Sequence, residues 1–106
     1  QTSALVDYSE ARLSEWDLRH SAYVDGLVER IQLIREALES SEQAVSSADL
    51  SLSDVVLRMA HGIVDPVELL SVQRARLNAH SRAISLKEQL LKLEFELISE
   101  TNPKWN

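Results

Sequence analysis

Arg58-Met59-Ala60-His61-Gly62-Ile63-Val64-Asp65-Pro66-Val67-Glu68 is the stretch that sets the architecture. It reads as the end of one helix and the start of another. Gly62 is the residue that can take the left-handed conformation closing a helix. Asp65 is an N-cap, with a side-chain oxygen placed to accept from an orphan backbone N–H. Pro66 fills the first helical position, where its missing N–H costs nothing. Glu68, three residues after Asp65, is placed to close a capping box onto it. So short a connection makes the two helices antiparallel neighbours.

Upstream, Leu27, Ile31, Ile34, Leu38, Ser41, Val45, Ala48, Leu52, Val55 and Met59 recur in alternating steps of four and three. That is a heptad seam, with Ser41 its polar member. The stretch from Ser46 to Asp54 resembles a loop by composition, and Ser51 with Asp54 could cap a new helix. The heptad phase crosses it without a slip, so the reading is one continuous helix over about 4–61. Leu13, Trp16, Tyr23 and Val24 follow a shifted phase, and Gly26 is where a bend is expected.

Downstream, the pattern predicts a turn over 62–65, a second helix over about 66–101, and a tail over 102–106 opened by Asn102-Pro103. Leu70, Leu77, Ile84, Leu91 and Ile98 form one aliphatic column with a seven-residue repeat. Val72, Ala79, Leu86 and Leu93 form a second, flanked by Leu69, Ala83, Leu90 and Leu97 with Arg76 intruding. Gln73, His80, Lys87, Glu94 and Thr101 make a polar column between the two apolar zones. A two-stranded coiled coil needs one narrow seam; two seams imply two neighbours. Pattern alone leaves a three- or four-helix bundle and a closed ring of helices both open, the bundle being the more ordinary. Rods of about 80 and 50 Å make a hairpin and leave the second seam to other chains or to further parts of the same chain. The fold class is therefore all-α: a long antiparallel helical hairpin with coiled-coil packing, the ring alternative being α-barrel-type packing.

Composition supports this and excludes much else. In 106 residues there are two glycines and two prolines, where average usage gives roughly a dozen together; a many-turned β fold needs more. Aromatics are 5% against 44% hydrophobic residues overall, so the apolar surface is aliphatic. The charge is −6 with scattered bases, which argues against a nucleic-acid partner. The mixed, acid-rich polar faces are poor for lying on a membrane. No cysteine is present, and no apolar run reaches the roughly 18–20 residues of a membrane-spanning helix. The chain opens at Gln1 without methionine, as in a processed protein or a piece of a longer one. Asp17 and His20, one turn apart, could seat a metal, but no Glu-x-x-His pair supports a di-iron bundle. Glycine-rich phosphate loops and nucleophile elbows are absent. No enzyme activity, cofactor or metal site is expected.

At Gly62 the sequence resembles the TolC-like outer membrane factor family (outer membrane efflux proteins). The resemblance rests on Arg58-x-x-x-Gly62, on Leu69-Leu70 and Gln73-Arg74 at the start of the second helix, on Ala79, and on the terminal Trp105-Asn106. It spans Tyr23 to Asn106 and covers only the C-terminal periplasmic hairpin of such a protein, without its barrel strands. Asp65-Pro66 is stiffer than the family's usual turn, and Ser71 stands where aspartate is common. The resemblance implies the periplasmic portion of an outer-membrane protein, part of an efflux or secretion conduit. It also implies self-association, trimeric in that family, a periplasmic adaptor protein docked at the hairpin tip, and an inner-membrane pump reached indirectly. The tip is then Arg58, His61, Gly62, Ile63, Val64, Asp65 and Pro66, and the helix-packing seam Leu70, Leu77, Ile84, Leu91 and Ile98. Arg58 is either a contact or gating residue or a solvated side chain. The polar column is free to face a water-filled lumen.

Two other readings compete. Asp65, Pro66, Leu69 and Leu70 also resemble the turn of type III secretion needle or inner-rod subunits, small hairpins of similar length. A plain coiled-coil interaction module needs only the heptads.

Overall fold

The heptads become two helices and little else. The computed structural model describes residues 2–63 and 65–102. Helix α1 runs Thr2–Ala60 over 59 residues and α2 runs Pro66–Thr101 over 36, with no strand among the described residues. α1 passes unbroken through Gly26 and through the serine-rich stretch, as the surviving phase requires. The molecule measures 91 × 20 × 15 Å, with a radius of gyration of 24.7 Å. A compact globule of this length would have about 13 Å, so there is no centre in which to hide side chains.

What burial exists follows the heptad line. Leu27, Ile31, Ser41 and Val55 of α1 are buried, and Ile34, Leu38, Val45, Ala48 and Leu52 are half-buried. Met59, the last member, lies exposed near the tip. Opposite them α2 buries Ala83, Leu86 and Leu93, with Leu69, Val72, Ala79, Leu90 and Leu97 half-buried. The tightest apolar cluster is Leu27, Ile31 and Leu93, with Ile34, Leu90 and Leu97 against it. Arg76, which interrupts this column, reaches across to Asp49 with Nε 2.7 Å from Oδ1.

The unequal helix lengths leave α1 partly alone. His20 lies opposite Glu100 (3.7 Å), and the Tyr23 hydroxyl donates to Glu96. Toward the N-terminus from there, residues 3–19 are exposed throughout, including Leu5, Leu13, Trp16 and Leu18. Local contacts support this overhang: Trp16 stacks on His20 (5.0 Å between ring centres), Arg12 lies over Tyr8, and Arg19 bonds Glu15.

Candidate functional site

The tip is built by backbone geometry. Gly62 has φ +71°. Its N–H donates to Met59 O (2.9 Å) and the Ile63 N–H to Arg58 O (3.0 Å). This is a Schellman closure, which satisfies the last carbonyls of α1. Asp65 caps α2 as expected, accepting from the Val67 N–H at 3.0 Å, and Pro66 starts the helix. Glu68 does not complete a capping box. Its carboxylate turns back across the turn to Arg58, whose Nη2 lies 2.5 Å from Oε1. A charged guanidinium offers that carboxylate a stronger hydrogen bond than a neutral N–H does.

Arg58 therefore links both helices. Its Nε also donates to Asp54 at 3.1 Å. The hydrogen bond from Arg58 to Glu68 is the main cause that raises the guanidinium pKa above its ordinary value; desolvation opposes it, and the hydrogen bond to Asp54 adds to the rise. Arg58 is a staple across the turn. His61 Nδ1 lies 2.9 Å from Leu57 O. His61, Gly62, Ile63, Asp65 and Pro66 are all exposed at the tip, and Val64 lies outside the described residues, as does the Trp105-Asn106 tail.

The second candidate surface runs along the back of α2. Leu70, Leu77, Ile84, Leu91 and Ile98 are between 51% and 66% exposed. None is covered within the chain; the Val72–Leu93 column meets α1 instead. Phe95 stands beside Leu91 and Ile98 and lines a shallow hollow with them. That aromatic falls four residues after Leu91 and three before Ile98, off the repeat, so a search for strict seven-residue repeats passes over it.

Between the two apolar zones, the polar column runs along one flank of the helix joint. His80 Nε2 lies 3.1 Å from Asp49, Lys87 Nζ 3.8 Å from Glu42, and Arg35 Nη2 3.2 Å from Glu94. Three members of the column thus tie α2 to α1. Asp49 receives both His80 and Arg76, and these hydrogen bonds, His80 first, hold its carboxyl below the usual carboxylate range. No sequence spacing announces this cluster, because its members lie 27 and 31 residues apart and meet only once the register is set.

Among the described residues no group of three or more His, Asp or Glu side chains could hold a metal ion. Among them, too, no helix is long and apolar enough to cross a membrane. No family model matches the chain, and neither a curated protein nor a solved structure was found to be similar to it.

Proposed function

We propose that this hairpin is a structural wall segment of an outer-membrane efflux or secretion conduit, standing in the periplasm beside other hairpins and presenting its tip to an adaptor protein. The observation that carries the reading is the aliphatic row on the back of α2. Monomeric proteins rarely expose large apolar surface without a partner for it, and this row keeps a heptad repeat, which is the spacing of helix-to-helix packing. Gly62 closes α1, Asp65 caps α2, and Ile63 is exposed beside them, which suits an end-on contact.

Light scattering across a range of chain concentrations tests the wall. Self-association is expected, and Leu91→Glu should abolish it; a wild-type chain that stays monomeric throughout sinks the reading. The tip is tested separately in cells that use the conduit. Ile63→Asp should leave assembly intact and stop export, and unimpaired export would remove the docking role.

A needle or inner-rod subunit is the second reading, favoured by the capped Asp65-Pro66 turn running directly into Leu69 and Leu70. Electron microscopy of the assembled chain separates the two. A closed ring supports the conduit wall, and an open filament supports the rod.

A further inference from the structure

The flank opposite the Asp49 cluster carries a different surface. There Ala37, Ser40, Ser41, Ala44, Ala79 and Arg82 line a hollow of about 190 Å³. Its α1 wall repeats every seven residues toward the tip, through Ala37, Ala44 and Ser51 and through Ser40 and Ser47, so over this stretch the groove is bordered on α1 by small side chains; one heptad the other way Arg30, Leu33, Gln89, Lys92 and Glu96 line it instead. Ser41 adds an independent sign that something belongs there. It is 5% exposed, and its hydroxyl has no hydrogen-bond partner. A buried hydroxyl left unpaired is disfavoured, and a polar residue inside a heptad seam commonly fixes which helices meet and in what register.

We propose that the groove receives the outer α2 row of a second copy of this chain, with Ile84 of that copy seated in the Ser41 hollow. This rests on the wall-segment reading and names its lateral contact. Three observations favour this occupant. From Ala37 to Ser51 the groove is small where the row is large and aliphatic, and both repeat every seven residues, about 10.5 Å along a helix. Polar groups match as well: Ser81 precedes Ile84 by one turn and Glu88 follows it by one turn, on the same outer face. The Ser41 hydroxyl is sealed from solvent in the single chain; rotated about χ1 toward the hollow that Ser41 lines, it would meet Ser81 as its partner. Arg82, on the groove wall, and Glu88 have no ionic or hydrogen-bond partner among the described residues, and docking would pair them. Finally, the five aliphatic side chains and Phe95 leave on the order of 500 Å² of apolar surface open on the row's side of the contact, the scale of a small, transient interface and below the roughly 800 Å² per partner of a standard one.

Row and groove lie on different sides of the hairpin. Ile98 shares a hollow with Arg35 and Glu94 on the charged flank, whereas Ala37 and Ala44 face the other. The contact is therefore head-to-tail, each copy offering a row to one neighbour and a groove to the next. Such contacts propagate into a ring or a filament.

Mixing tests the geometry. Ile84→Glu disables the row and Ala44→Glu the groove; both positions are exposed, and far-UV circular dichroism checks that each variant keeps its helices. Ser40→Glu repeats the groove arm should Ala44→Glu lose helicity. In sedimentation velocity each variant alone should be monomeric, and an equimolar mixture should give one heterodimer that grows no further. Assembly of both groove variants like wild type, with only Ile84→Glu inactive, would mean that rows meet rows, or another occupant, and would overturn this inference while leaving the wall reading standing. A monomeric wild type would overturn both. Arg82→Glu should weaken association about tenfold, and Arg82→Glu combined with Glu88→Arg should restore it. Failure of that rescue would remove the Arg82–Glu88 pairing and the register it defines.

Discussion

Gly62 and Asp49 are the positions where single atoms decide most. At φ +71° a Cβ on residue 62 meets no neighbour, so the penalty for Gly62→Ala is purely the left-handed backbone, about 1 kcal/mol. Thermal unfolding of the hairpin should show that loss, and Gly62→Asn should recover part of it, since asparagine tolerates this region. Asp49 governs the acid limb of stability. Its carboxyl titrates lower in the folded chain than in the unfolded one, because His80 and Arg76 hydrogen-bond the charged form. The unfolded chain therefore binds the proton first. The contribution of Asp49 is complete above the ordinary carboxylate range and is lost as pH falls through the lowered folded value. Melting temperatures of wild type and Asp49→Asn should thus differ at neutral pH and converge in acid. A gap that stays constant down to the lowest pH would show that the cluster does not form.

At the scale of the helices, the contrast between the two apolar columns is the informative quantity. Leu27 is 1% exposed against Leu93 and Ile31, whereas Leu77, equally aliphatic, is 66% exposed. Leu27→Ala should cost about 2–3 kcal/mol, while Leu77→Ala should stay within about 0.5 kcal/mol; urea unfolding of dilute, monomeric chain measures both. Ser41→Ala removes an unpaired buried hydroxyl and should stabilise the monomer by about 1 kcal/mol. The same change should weaken self-association, a reversal of sign that a merely awkward core serine would not produce. Much of this level was legible in the residues. The four-three spacing from Leu27 to Val55 gave the buried line, and Gly62, Asp65 and Pro66 gave the turn, because each is a local preference of backbone or helix face. Glu68 misled, because Asp65 can be recognised as a cap from its neighbours, whereas the competing Arg58 lies ten residues away on another helix. The Leu70–Ile98 column reads as a seam for a further neighbour, and within the chain it stays exposed. Periodicity reports that a face is apolar and is silent on which of two such faces the chain's own partner will take.

For the whole molecule, shape limits what the chain can be. A body 91 Å long and 15 Å thick presents outer surface along its full length, and the hollows along it are shallow and open. The cross-helix ties Asp49–His80, Glu42–Lys87 and Arg35–Glu94 were unreadable beforehand, since antiparallel register is a property of the pair and not of either helix. The helix lengths were readable, and with them the overhang of α1. That overhang has a thermodynamic consequence. From Ser3 to Arg19 no second helix shelters the backbone, and a helix of that length without packing is only marginally stable in water. In dilute solution it should behave as a melting front, with amide hydrogens exchanging fastest there and slowest near Leu27. Should the proposed self-association cover Leu13 and Trp16, the front would retreat and ellipticity at 222 nm would climb with chain concentration. The bare end of the rod would then act as a built-in gauge of how many companions it has.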